Sequence, residues 1–271
     1  MLVTWLGTGT ILIESGEEKI IFDPFIQLPG GEHPTDIKAF SQAKNVFVTH
    51  SKAPHLASIP ELIATTDMLV HCGQGAVKTL IKMGVSMKQL RSIHQGDIIP
   101  LKNEVQVHAL KGRYVGFGPF MLLKTVLNPR IIKYSQNLMK LAKMHKRFAG
   151  DDITLAYHVK AENQEILLLG SLALDDRTSY PPNVDVLILP YQGSSSLQKK
   201  AITIIRKLKP KKVILSHFDD AFPPLSKSIN PKKFRLAMKR RLPDIQVVVP
   251  QVGIPLDLTM IEDEKEKTNE I

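Results

Sequence analysis

Apolar residues recur along this chain in short alternating or continuous runs bounded by Gly, Pro, Ser and Asp clusters, the pattern of brief strands interspersed with modest helices. Leu2 to Leu6, Thr10 to Glu14 and Lys19 to Asp23 read as three strands joined by Gly7-Thr8-Gly9 and Ser15-Gly16-Glu17-Glu18 turns, so the chain opens as a meander. A strand over 45 to 49 follows, then a loop from His50 to His55. A helix from about Ala57 to Ala64 tolerates Pro60 in its first turn. Met68 to Cys72 reads as a strand, Gly75 to Met83 as a helix, and Arg91 to Ile93, Asp97 to Pro100 and Val105 to Leu110 as strands. After a different middle, strands return at Ile153 to Val159, Glu165 to Leu169, Val184 to Pro190, Val213 to Ser216, 245 to 249 and 256 to 260. Helices are expected at Ser196 to Leu208 and 231 to 241. Two β-rich halves, each ending in βα units, predict an α+β fold with two mixed sheets face to face and helices outside, a four-layer αββα sandwich.

The middle, about 115 to 150, is a basic helical insertion. Ile131, Tyr134, Leu138 and Leu141 share one helical face, while Arg130, Lys133, Lys140, Lys143, His145, Lys146 and Arg147 run from Asn128 to Gly150 with no acid among them. Docking onto the domain explains the apolar stripe, and a membrane-surface helix over 129 to 148 would show the same two faces. We expect one domain over 1 to 261 with that insertion, then a charged tail over 262 to 271.

Length and composition allow this. A chain of 271 residues with 43% hydrophobic content can bury a large core. No apolar run reaches the length of a membrane span, and the opening Met1-Leu2-Val3-Thr4-Trp5 lacks a signal-peptide pattern, so the expectation is a soluble, cytoplasmic protein. A single cysteine, Cys72, excludes an intramolecular disulfide and reads as a buried strand-end thiol. The charge of +10 suits small anionic substrates or ligands, or an anionic membrane surface. Nucleic acid is not the expected partner.

Candidate chemistry sits at strand ends. His50 and His55 bracket the loop after strand 45 to 49, and Leu215-Ser216-His217-Phe218-Asp219-Asp220 brings a third imidazole after the strand ending at Ser216. His33, His71, His94, His108, His145 and His158 have no ligand spacing and are set aside. Asp175-Asp176 and Asp219-Asp220 are adjacent carboxylates that point different ways in an extended loop, so each pair supplies at most one group to a cleft. Caps or loop salt bridges explain them as well. The glycine turns lack the strand-to-helix setting of phosphate loops, and Ser194-Ser195-Ser196 reads as an N-cap cluster.

The stretch Val48-Thr49-His50-Ser51-Lys52-Ala53-Pro54-His55 resembles the His-x-His-x-Asp-His loop of the metallo-β-lactamase superfamily. Trp5-Leu6-Gly7-Thr8-Gly9-Thr10 with Ile20-Ile21-Phe22-Asp23-Pro24 is similar to its N-terminal hairpin, particularly in the sugar-phosphate lactonase and N-acyl-phosphatidylethanolamine phospholipase D-like branch. The resemblance implies that His50, His55 and His217 are metal ligands, with zinc the expected ion, and that Asp23 orients a loop histidine from behind. It also shows a rewritten ligand set. Lys52 stands for the second His, Pro54 for the Asp, Tyr114 for the third His and Ser171 for the carboxylate that bridges two metals. None of these four replaces a zinc ligand well, and the Lys52 ammonium repels a dication.

Two functions follow. One is a metal-dependent hydrolase of a phosphate-bearing ester or lactone with an impaired or mononuclear site, in which Lys52, Asp219 and Asp220 are the candidate catalytic side chains. Tyr114 and Ser171 then support the site alongside Asp23. The other is an inactive relative that keeps the pocket to bind a small anion, a lipid or a protein. A nuclease role is disfavoured because the accessory domain of such enzymes has no counterpart here.

Overall fold

A computed structural model describes residues 1–33, 35, 37–115, 129–147, 154–194 and 196–259, without the side chains of 53, 54, 141 and 144–147. The first half runs β1 (Leu2–Trp5), β2 (Ile11–Ser15), β3 (Glu18–Phe22), α1 (Ile37–Phe40), β4 (Asn45–Phe47), α2 (Ala53–Leu56), α3 (Ile59–Ala64), β5 (Leu69–Cys72), α4 (Gln74–Lys82) and β6 (Leu90–Ser92). The second runs β7 (Ile98–Pro100), β8 (Gln106–Lys111), α5 (Arg130–Lys133), α6 (Ser135–Arg147), β9 (Leu155–Ala161), β10 (Gln164–Leu168), β11 (Val186–Pro190), α7 (Leu197–Leu208), β12 (Lys212–Ser216), α8 (Lys232–Arg241), β13 (Gln246–Val248) and β14 (Pro255–Asp257).

These strands form two sheets, ordered β14-β1-β2-β3-β4-β5-β6 and β13-β12-β11-β10-β9-β8-β7. Each is built the same way. An antiparallel meander at one side passes into parallel strands at the other, because β3 to β6 and β10 to β13 are joined by helical crossovers or long connections and not by tight turns. The inner faces meet in a core of Val3, Trp5, Ile11, Phe22, Phe47, Tyr157, Ile166 and Ile188, all buried. The outer face of the first sheet packs on α1, α3 and α4 through Phe40, Ile59, Leu62 and Leu80. That of the second packs on α7 and α8 through Ile202, Ile205, Phe234 and Met238. This is the expected αββα sandwich. Its parallel strands are apolar on both faces, as in β11, whose five residues are all buried.

Polarity follows from the ladder. β3 and β4 run parallel, and β8, β10 and β12 share one direction through antiparallel β9 and parallel β11. The carboxyl ends of the strands therefore open on one rim of each sheet. The rims are stitched together where the Leu155 amide donates to the Thr49 carbonyl at 2.8 Å and His50 bridges Thr154.

Three local expectations are corrected. The helix expected from Ala57 begins at Ile59, after Ser58, whose Oγ caps nothing in the helix and accepts the Ile26 amide at 2.7 Å. The loop before it contains a helical turn, α2. The basic helix is two pieces broken at Tyr134. Along that stretch Ile131, Tyr134 and Leu138 are only half-buried, and the buried position is polar Asn137, whose Nδ2 donates to the carbonyls of Pro29 at 2.9 Å and Pro223 at 2.8 Å. Ile132 and Met139 face outward at 85% and 60% exposure. The Leu141 side chain, residues 148 to 153 and the tail from 260 lie outside the described residues. No helix among the described residues is long and apolar enough to cross a membrane.

Candidate metal centre

Five strands end at one cleft. β3 delivers Asp23, β4 leads through Val48 and Thr49 to His50, β8 to Tyr114, β10 through Leu169 and Gly170 to Ser171, and β12 to His217. Ligands of sheet proteins collect at such carboxyl ends because the chain there leaves the ladder and frees its side chains. Two of these residues leave the ladder in the left-handed region, Asp23 at φ +44° and His217 at φ +61°. That conformation is costly for a residue with a Cβ and is held here by hydrogen bonds: the Asp23 amide donates to the Phe47 carbonyl at 3.0 Å, and the His217 amide to the Thr8 carbonyl at 2.7 Å.

Three imidazoles converge. The ring centroids of His50 and His55 are 4.4 Å apart, and those of His55 and His217 are 6.0 Å apart. Close backbone makes room for them. A Cβ on Gly170 would lie 2.5 Å from Thr49 Cβ and 2.9 Å from His50 Cε1, and one on Gly9 would lie 2.7 Å from His217 Nε2. Only glycine permits these approaches.

The Asp23 carboxylate sets the protons. Its Oδ1 accepts the Thr49 amide at 2.8 Å, and its Oδ2 accepts both the Thr49 hydroxyl and, at 2.9 Å, the Nδ1–H of His55. Since Thr49 spends its only hydroxyl proton on Asp23, the 2.7 Å contact between its Oγ1 and His50 Nδ1 is donated by the ring. His50 and His55 therefore each carry a proton on Nδ1, and Nε2 of His50 presents a lone pair. Nε2 of His50 is buried and meets no hydrogen-bond partner. Burial first, then the charges of His55, His217 and Lys52, hold His50 well below the usual imidazole range. Burial, then His55, against an opposing pull from Asp23, bring half-buried His217 down to about 3. Both rings are neutral, as metal ligands must be.

His50 and His55, with Asp23, come within reach of one divalent ion, and His217 stands farther off. Two imidazoles on a single tetrahedral zinc place their centroids about 5 Å apart, and the two separations here bracket that value. Ligand atoms of Asp23, His50 and His55 all lie within 4.8 Å of one another. Asp23 is nevertheless the orienting group, because both its oxygens are already engaged by Thr49 and His55. The set does not suit two ions. Ser171 Oγ is occupied by the Val115 amide at 3.0 Å, and Lys52 brings a positive charge, its Nζ lying 5.5 Å from the Tyr114 ring centroid. Tyr114 stands edge-on to His50 at 5.3 Å, forming the cleft wall.

The other sequence candidates are placed elsewhere. Buried Asp219 holds the Gly7-Thr8-Gly9 turn, accepting the Thr8 amide at 3.0 Å and Gln27 Nε2 at 2.9 Å. Asp220 accepts from Arg130 and, at 2.6 Å, from Ser226 Oγ. Asp175 accepts the Arg177 amide, and Asp176 pairs with Arg113 at 2.8 Å. The sequence reading missed Thr49, the relay between Asp23 and His50, and Gly170. The signal for Thr49 was a hydroxyl directly before a strand-end histidine.

No family model matches the chain. It is 24% identical over 263 residues to a UPF0173 metal-dependent hydrolase of Caldivirga maquilingensis, covering 94% of this chain and 96% of that protein. It is 25% identical over 270 residues to another protein of that description from Cupriavidus taiwanensis, covering 94% and 86%. Among solved structures, a metallo hydrolase from Ignicoccus hospitalis superposes with a TM-score of 0.66 at 15% identity, covering 94% of this chain and 98% of that one. The metallo-β-lactamase fold protein YhfI of Bacillus subtilis superposes at 0.63 with 12% identity and the same coverage. The chain has the metallo-β-lactamase fold.

Proposed function

We propose that the chain is a hydrolase working with one divalent metal ion, zinc by the preference of imidazole donors, on a phosphate-bearing ester or lactone. The observation that carries this reading is the buried, unpartnered Nε2 lone pair of His50, aimed from a ring whose other nitrogen is fixed through Thr49 to Asp23. Relatives described as metal-dependent hydrolases that align along nearly the whole chain support the reaction class.

His50, His55 and His217 hold the ion, and when bound it supplies Lewis-acid polarisation of the scissile oxygen. The chain supplies the remainder. Asp23 keeps His55 on its Nδ1–H tautomer and, through Thr49, does the same for His50, so neither ring must turn when the ligand arrives. Lys52 sets an ammonium at the mouth of the cleft, where it attracts an anionic substrate and steadies negative charge that develops during attack. Tyr114 walls the cleft beside His50 and orders the substrate.

Elemental analysis of protein purified without chelator tests this. About one zinc, manganese or iron per chain is expected, falling to a small fraction in His50→Ala and His217→Ala, together with loss of hydrolysis across a panel of aryl esters and lactones. The rewritten positions Lys52 and Ser171 favour the second reading, a pocket that binds an anion without turnover. A chain that takes up no metal even when dialysed against it would decide for that reading.

A further inference from the structure

Beyond the imidazoles, on the far side of Tyr114, a groove of about 640 Å³ lies between the Arg113–Val115 segment, the loop after β10 and one face of α7. Tyr114 lines this groove and also stands edge-on to His50, so one side chain separates the two spaces. Its rim is cationic: Arg113, Lys199, Lys200 and Lys207 against the single acid Asp176. Asp176 is already matched by Arg113, while Lys199, Lys200 and Lys207 pair with no carboxylate among the described residues. Lys199, Thr203 and Lys207 recur every four residues, so they line one face of α7 over about 12 Å. The floor is apolar, made by Leu172, Leu174 and Ile204. A helix face serving only solubility has no reason to form the wall of a concavity with an apolar floor.

We propose that this groove is the substrate's anchoring subsite and that it selects an organic monophosphate with an apolar body, an aryl or alkyl phosphate and not a sugar phosphate. The inference rests on the hydrolase reading for its claim about substrate, and on the groove alone for its claim about binding. A phosphate monoester carries close to two charges at neutral pH, matching a rim with three uncompensated lysines better than a monoanion does. Leu172, Leu174 and Ile204 offer nothing to the hydroxyls of a sugar, which would have to find partners among Tyr114, Asp176, Ser196 and Thr203 while losing water over the floor. With the phosphate on α7 and the body across the floor, the remainder of the molecule passes Tyr114 toward His50, which puts the hydrolysed ester or lactone bond at the opposite end of the substrate from its phosphate.

Calorimetric titration of the chelator-treated full-length chain with hexyl phosphate, hexanoate and glucose 6-phosphate reads this without turnover. Hexyl phosphate is expected to bind at least roughly tenfold more tightly than either of the others. The double variant Lys199→Glu/Lys207→Glu is expected to lose that margin, with an unchanged circular dichroism spectrum showing that it folds. Glucose 6-phosphate binding as tightly as hexyl phosphate would overturn the choice of ligand. A double variant that keeps full affinity would overturn the site. Because metal is absent, a chain that binds hexyl phosphate in this manner yet hydrolyses nothing when metal is restored leaves the groove standing and removes the hydrolase reading.

Discussion

One carboxylate governs two histidines at the residue scale. Asp23 reaches His55 directly and His50 through the Thr49 hydroxyl, so replacing it unsettles both rings. Asp23→Asn is expected to weaken metal binding by about 10- to 100-fold, measured by competition with a coloured chelator, and Thr49→Val should do the same through His50 alone. Another histidine is built for stability. His71 stacks on Phe47 with centroids 4.5 Å apart, contacts Asn45 Oδ1 through Nε2 at 3.0 Å, and is pulled from 6.5 to about 4, first by burial and then by Arg91. Below pH 6.5 the unfolded chain takes a proton that the folded chain refuses, so stability falls as pH drops toward 4, by at most about 3 kcal/mol from this group. Urea midpoints at pH 7 and pH 4.5 should therefore differ less in His71→Gln than in the parent chain. His50, His55 and His217 stood out in the sequence because the stretches around them resemble a known metal-binding loop and strand end, and the structure brings their rings close together. The work of Thr49 did not, because it depends on a partner 26 residues away.

Among the elements, the basic stretch carries the clearest lesson. Its apolar stripe predicted the buried face, yet the helix is anchored by Asn137, which satisfies two carbonyls from separate turns, while Ile132 and Met139 are left outside. Buried backbone oxygens without donors cost more than modest apolar area gains, and sequence periodicity contains no record of where such oxygens lie. Asn137→Leu should orphan both carbonyls and cost about 1–3 kcal/mol. Hydrogen exchange is expected to report this as faster exchange of α6 with little change in β9 to β12. The strands were legible by contrast, since short apolar runs closed by Gly and Pro leave few alternatives. Their ends were less so, as with β14, which stops at Asp257 and not near 260.

For the whole molecule, the inner faces of both sheets make one core, with Phe22, Phe47 and Tyr157 in mutual ring contact and the Tyr157 hydroxyl donating to the Val48 carbonyl at 2.6 Å. Phe47→Ala should cost about 3–5 kcal/mol and lower the melting temperature of both halves together, with near- and far-ultraviolet dichroism moving in step. The sandwich was readable from the order of elements, whereas the joining of the two rims at Thr49 and Leu155 was not, because it is a contact between halves. Lys52, Tyr114 and Ser171 all lie past the last paired residue of a strand. Substitution there touches rim contacts and not the hydrocarbon layer between the sheets, so chemistry can change on this rim while the sandwich beneath stays the same, which makes the architecture a durable chassis for catalysts that have not yet been tried.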